Sequence, residues 1–304
     1  MNAPEDGGQE VIAALTELER ARGGRAVALL ADRLDATHAY VLYECLRRRE
    51  RAKRLDLVLL TSGGDVDATR RIALLLHEHT DRLALLVPDH AESAGTLLCL
   101  AADELVLGPM AQLGPIDPHI SAVGEHAAGP GRISAEDVRA LPRMAQEWFG
   151  LDERADRIQV FAAASQRLFP TTLSAFYRAD SNIRRAGREL IARQRPDLAE
   201  QDRARIVDTL VSGYDSHGHA ITRAEAARLG LRVAKPDPDE EDLMWRCTEP
   251  LRSWHTRSDE RGGLLGLVAD AGGFLARRLL TMPAADQPPR PYWEFHHTGG
   301  EHAC

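Results

Sequence analysis

Lysine is nearly missing from this 304-residue chain: of its 38 basic residues only Lys53 and Lys235 are lysines. Any chemistry that needs a lysine base therefore has two places to look. Positive charge in excess is missing too. A net charge of −8 removes nucleic acid as a main partner, because phosphate binding needs clustered positive charge. The arginine-rich stretch LRRRERAKR (46–54) reads as a solvated helix end. No apolar N-terminal core follows basic residues, so no signal peptide is expected. The longest apolar stretch, GGLLGLVADAGGFLARRLL (262–280), carries Asp270, Arg277 and Arg278 and is too short and too charged for a membrane span. It is read as a helix. The four cysteines (Cys45, Cys99, Cys247, Cys304) lack metal-ligand or redox spacing, so a reduced, cytoplasmic setting is expected, with no metal and no other cofactor. No P-loop pattern occurs in the chain.

What is present is a 44% hydrophobic chain, enough for a full core, in which strand and helix alternate. After a loose start and a helical pattern over 10–22, RAVALLA (25–31) reads as a strand. DATHAYVLYECLRRR (35–49) reads as an amphipathic helix capped by Asp35. LDLVLLT (55–61) is a continuous apolar run, as in a strand covered on both faces. A helix (66–79), a strand (82–88), a helix (93–102) and a strand (104–108) follow, at the spacing of βαβ units in a largely parallel sheet. Residues 134–213 carry helical patterns and no strand. Thr222 and Glu225 match a capping box, a further helix covers 239–255, and the tail is PPRPYWEFHH. The expected division is 1–24 as flexible start and helix, 25–133 with 205–238 as core, 134–204 as helical insertion, and 239–304 as helical extension and tail.

The chemistry centres on two stretches, LTSGGDVD and PDHAESAGTLLCLAADELVLGPMAQLGPIDPH. Gly63-Gly64 at a strand end lets the backbone approach a ligand and leaves N–H groups unpaired. Ser93 opens an apolar helix, where most serines merely cap. Taken together they offer a serine beside helix-end N–H groups that favour developing negative charge, with a glycine N–H to complete an oxyanion hole.

LTSGGDVDATRRIALLL, AESAGTLLCLAADELVLGP, LGPIDP and AEAARLGLRV resemble the serine dehydrogenase proteinase family, a branch of the Clp-protease/crotonase fold related to signal peptide peptidase A. The resemblance covers roughly 25–120 and 205–235. It implies an α/β fold, a Clp/crotonase-like ββα spiral with a helical insertion and a helical C-terminal extension. It also implies a serine hydrolase, most simply a peptidase, working through an acyl-enzyme and without a cofactor. Ser93 would be the nucleophile, Gly64 and Ala94 the oxyanion hole, and Gly63 and Gly95 would border the substrate. Peptide or protein would be the substrate and a homo-oligomer the assembly, with 134–213 and 262–281 as interfaces, and any ATP-driven unfolding would come from a regulatory or unfoldase partner.

The general base is open. Signal peptide peptidases use lysine, but Lys53 lies at the strand end away from the diglycine and Lys235 follows the last sheet element. Clp protease uses a histidine about 25 residues after the serine and an aspartate before the EA…GL helix. Here Asp117 stands near the first position and His217 near the second, so acid and base look exchanged, an order that triad geometry tolerates. His119 and His219 are rival bases. His77, His79, His90 and His126 read as solvent-facing, and His296, His297 and His302 as part of a disordered tail rather than a metal tract. Asp65 and Glu92 read as solvated flanks, Asp103 and Glu104 as structural. Two other classes remain: a crotonase-like acyl-CoA enzyme, which would lack a serine nucleophile, and an inactive scaffold of the same fold.

Overall fold

The alternating first hundred residues build a sheet with helices on both faces. The computed structural model describes residues 7–117, 119–121, 132–151, 154–167, 170–256, 264–281 and 290–297. Helix α1 (Gly7–Arg22) leads to β1 (Arg25–Ala31), α2 (Ala36–Leu46), β2 (Ala52–Thr61), α3 (Val66–Glu78) and β3 (Thr80–Val87). The short strand β4 (His90–Ala91), α4 (Ala94–Cys99), β5 (Glu104–Leu107) and β6 (Gln112–Leu113) come next. A strand pair, β7 (His119–Ser121) and β8 (Arg132–Ser134), is followed by α5 (Ala135–Phe149), α6 (Arg154–Arg167), α7 (Pro170–Gln194) and α8 (Glu200–Ser212). The chain then runs through β9 (Ile221–Thr222), α9 (Arg223–Leu229), β10 (Val233–Ala234) and α10 (Pro238–Thr256) to β11 (Leu264–Asp270), β12 (Phe274–Leu280) and β13 (Pro291–His297).

The main sheet has the order β10-β5-β3-β2-β1-β11-β12-β13. Its first five strands are parallel, and the last three join antiparallel to β1. Alternation along each strand feeds two cores. Val27, Leu29, Leu57, Leu59 and Leu85 face α2, α3 and α4, while Ala28, Leu30, Val58, Leu60 and Leu86 face α1 and α10. Helix α1 supplies Val11, Ala14, Leu15 and Leu18, one stripe at helical spacing, against Leu243, Met244, Cys247 and Leu251 of α10.

Over its described residues, 264–281, the apolar stretch read as a helix is not one. Its described part is the hairpin β11–β12, and the tail adds β13, so the expected helical extension is α10 followed by three strands. Periodicity alone does not separate a short buried strand from a helix. The deciding features are the glycine turn, with Gly273 at φ 90°, and the free flank of β1, which β11 covers over Val27–Ala31. Asp270 finishes the turn. It accepts from the Phe274 N–H at 3.0 Å and from the buried Arg25 guanidinium at 3.2 Å. Asp270→Ala would leave Arg25 without its buried carboxylate and should cost about 3 kcal/mol. Urea unfolding checks this, and a loss below about 1 kcal/mol would mean that the pair does not anchor the hairpin.

His296 is likewise in a strand, bonded to Glu294 and Arg277, and His297 pairs with Phe274. His126, His302 and Cys304 lie outside the described residues. Among the described residues no group of histidine, cysteine or carboxylate side chains is arranged to hold a metal ion, and no helix is long and apolar enough to cross a membrane.

Candidate active site

Three very short strands organise the site. β4 pairs with the last residue of β2, Thr61, and with β6, and β6 pairs with β9. Ser93 lies just after β4, Asp117 just after β6, and His217 just before β9. Lateral pairing thus brings together segments far apart in sequence. A cavity of about 520 Å³ is lined by Ser93, Gly64, Asp117 and His217 and by Ser62, Arg33, Asp65 and Asp67. Ala179, Asn182 and Ile183 of α7 close one side, and Asn182 donates to Asp67 at 2.9 Å.

Ser93 precedes the first residue of α4, yet its hydroxyl makes no cap hydrogen bond. Its backbone has φ 51° and ψ −112°, the one positive φ outside glycine among the described residues. Such a conformation costs about 1–3 kcal/mol and persists only where the surroundings enforce it. They do: Glu92 N–H donates to Thr61 at 2.9 Å, Gly95 N–H to Glu92 at 2.7 Å, and Leu97 N–H to the Ser93 carbonyl at 3.0 Å. The capping explanation for Ser93 is therefore gone. What remains is a hydroxyl turned into a cavity beside the N-terminal N–H groups of a helix, Ala94 among them.

Gly64 has φ 146° and its neighbour Gly63 φ 120°. Leu34 donates to the Gly63 carbonyl at 2.7 Å and accepts from Asp65 N–H at 2.9 Å, which turns the intervening Gly64 N–H away from Leu34. A Cβ at Gly64 would stand 2.1 Å from the Leu34 oxygen, and one at Gly63 would stand 2.9 Å from the Ser93 Cβ. Gly95 is equally constrained, with Thr61 Cγ2 2.6 Å from where its Cβ would be. Gly64→Ala should therefore destabilise the fold by at least about 2 kcal/mol, besides lowering turnover. Thermal unfolding reads this directly, and an unshifted midpoint would contradict the close approach to Leu34.

The other expected residues separate. Asp117 is buried at 7% exposure, and His217 lies in the exposed loop between α8 and β9. The hydrogen bond from Ile116 N–H to the Leu210 carbonyl, at 2.8 Å, ties the Asp117 segment to the end of α8. His219 does not line the cavity; it stacks on Tyr214 with centroids 4.5 Å apart and meets Glu225 at 3.2 Å. His119 belongs to β7, and its side chain lies outside the described residues. Lys53 is near the start of β2, eight residues or roughly 25 Å from its cavity end, and neither lysine lines the cavity.

Several side chains read as solvated hold structure instead. Asp65 caps α3 through Ala68 N–H at 2.7 Å, and Glu92 accepts from Gln112 at 2.8 Å. His77 is half-buried against the Ala101 carbonyl, and burial lowers its pKa. His90 meets Asp89 at 3.2 Å and Ser62 at 3.5 Å. Two contributors have weak sequence signals. Thr96, fully buried, links Ala91 to Gly114 through its hydroxyl and so fixes β4 against β6; only its place three residues after Ser93 marked it. Ser62 sits beside the diglycine and faces the same cavity as Ser93.

Comparison with known proteins gives a family match over part of the chain. Residues 35–128 match the family model described as ClpP-like SDH-type serine proteinase. The fold is accordingly a ClpP-like α/β fold, and the matched model is one of serine proteinases. Two relatives from Methanocaldococcus jannaschii are uncharacterized proteins: MJ0137, 27% identical over 69% of this chain, and MJ1495, 34% identical over 35% of it. The chain spans 64% and 41% of their respective lengths. Among solved structures, a mutant of the 1510-N membrane-bound stomatin-specific protease bound to a substrate peptide has 16% identity. That likeness covers 71% of this chain and 76% of that one, with a TM-score of 0.41. A second mutant of the same protease has 17% identity, 66% and 76% coverage, and a TM-score of 0.38.

Proposed function

We propose that this chain, whose residues 35–128 match the ClpP-like SDH-type serine proteinases, hydrolyses peptide bonds through an acyl-enzyme on Ser93. The observation that carries the reading is one cavity bordered by Ser93, Gly64, Asp117 and His217, with Ser93 held at positive φ. In this mechanism the Ser93 Oγ attacks the scissile carbonyl and His217 takes its proton. The Gly64 and Ala94 N–H groups stabilise the oxyanion, a contribution worth about 3 kcal/mol per donor in the transition state. His217 then returns the proton to the leaving amine, and water repeats the sequence in reverse to free the acid product. Asp117 orients the imidazole and stabilises its charged form without itself taking the proton.

Peptides or unstructured protein segments are the substrate class, since the cavity is open on one side and α7 covers the other. The insertion exposes Trp148, Phe149, Ile158, Phe161 and Tyr177, an apolar surface that supports assembly as a homo-oligomer through α5–α7. The second expected interface, 262–281, is largely occupied within the chain by pairing with β1 and β13. Cys45, Cys99 and Cys247 are free and buried, and burial raises all three thiol pKa values, which suits a reducing cytoplasm. A fluorophosphonate probe followed by peptide mapping tests the function. An adduct on Ser93 is expected, and folded protein that resists every serine probe would remove the peptidase reading.

A further inference from the structure

The cavity that holds Ser93 contains a second serine with its own imidazole and carboxylate. The Ser62 Oγ lies 3.5 Å from the His90 Nε2, and the His90 Nδ1 lies 3.2 Å from the Asp89 Oδ2. Ser62 is exposed and lines the cavity, whereas His90 stands behind it with a side chain 23% exposed. The array is fixed from both ends. Ser62 N–H donates to the Asp32 carbonyl at 3.2 Å, and Gln112 N–H donates to the Asp89 carbonyl at 2.7 Å. His90 itself belongs to β4, two residues before Glu92. A length of 3.5 Å is long for a hydrogen bond and is of the kind that shortens when substrate fills a site.

We propose that Ser62, held by the His90–Asp89 pair, is a substrate-positioning hydroxyl whose polarity toward the peptide is set by the protonation of His90. The inference rests on Ser93 as the nucleophile and assigns the second serine a binding role. With Asp89 on Nδ1, charged His90 donates from Nε2 to the Ser62 Oγ, and the hydroxyl proton is free to donate to a peptide carbonyl. When the imidazole is neutral, Nδ1 keeps its proton for Asp89 and Nε2 becomes an acceptor. The Ser62 O–H then turns to Nε2 and offers the peptide only lone pairs. One proton on His90 thus converts Ser62 from donor to acceptor.

The charges around His90 move this change upward from the ordinary histidine value. Burial alone would lower its pKa, but Asp89, Glu92 and Asp32 face it and outweigh burial, so the pKa is raised. Two cations lie near this cluster: Arg252 acts on Asp89, and Arg33 lines the same cavity as Ser62. Substrate carbonyl binding is accordingly favoured below the His90 pKa and lost as pH rises through it.

The test is kcat/KM against pH with fluorescein-labelled casein, run beside pH-dependent binding of the same casein to Ser93→Ala protein. In wild type, kcat/KM should fall on the alkaline side, mostly through KM. Ser62→Ala should lower kcat/KM five- to tenfold below the His90 pKa, the worth of about one hydrogen bond, and should abolish the alkaline fall. His90→Asn should abolish it too, and Ser62→Thr, which keeps the hydroxyl, should restore it. An alkaline fall that survives in Ser62→Ala, with Ser93 still labelled by fluorophosphonate, overturns the role of Ser62 alone. An adduct mapped to Ser62 overturns both it and Ser93 as nucleophile. Casein that neither binds nor reacts removes both readings together.

Discussion

Ser93→Ala should remove covalent labelling completely and lower kcat by a factor on the order of 10⁴ to 10⁶, with the fold and assembly intact. The size follows from what the hydroxyl does. In the proposed mechanism it forms the acyl bond, and nothing else at that position replaces it; only the oxyanion donors and binding would contribute residual catalysis. Intact folding is expected because the Ser93 side chain makes no cap bond, and alanine fills the same Cβ position. The strained backbone costs alanine much the same as serine, so the melting midpoint should move by no more than a few degrees. The measurement pairs active-site titration with calorimetry. Turnover at the wild-type rate in a well-folded mutant would exclude Ser93 as nucleophile and direct attention to Ser62.

His217→Ala should be nearly as damaging as Ser93→Ala, since a serine hydroxyl without its base is a poor nucleophile. The two members of the exchanged pair should differ in degree. Asp117→Asn keeps the shape of a buried side chain and should cost less, on the order of 10²- to 10⁴-fold, by failing to hold the imidazole tautomer. His219→Ala should be mild, because that ring is engaged by Tyr214 and Glu225 away from the cavity. His119→Ala should be mild as well. The pH–rate profile should rise as the base loses its proton. Should His119→Ala inactivate the enzyme while His217→Ala works, the unexchanged Clp order would hold instead.

The sequence was most informative where local signals agreed. RAVALLA reads as a strand over 25–31 and is one, with every residue buried, because a parallel strand covered on both faces needs no alternation. Asp35 before the helix and Thr222 before AEAARLG read as caps, and both accept helix N–H groups. The nucleophile candidate was legible because a helix-start serine downstream of a diglycine is a local pattern. The hairpin at 264–280 was not. Its strands are short apolar runs, and the choice between helix and strand is made by β1, some 235 residues earlier, whose free edge demands a partner. The turn signal, Gly272-Gly273, was in the sequence and outweighed by the length of the apolar run. His90 was missed for a related reason. Its partners are a neighbour in sequence and a serine just past the end of β2, and only the β2–β4 pairing makes them one array.

The pairing of Leu34 with Gly64 bears on how small a working piece of this protein can be cut. Leu34 reaches Gly63 and Asp65 from outside the stretch 35–128, and the next residues back are braced in turn by the bond from Asp32 N–H to the Leu265 carbonyl at 2.9 Å. A fragment trimmed to 35–128 would contain the serine, both glycines and Asp117. It would lack the residue that aims the Gly64 N–H, the strand behind that residue, and the loop that brings His217 to the cavity. Chemistry that looks portable in one hundred residues is spread mechanically over more than two hundred, so the proposed activity should disappear in truncations well before Ser93 is reached.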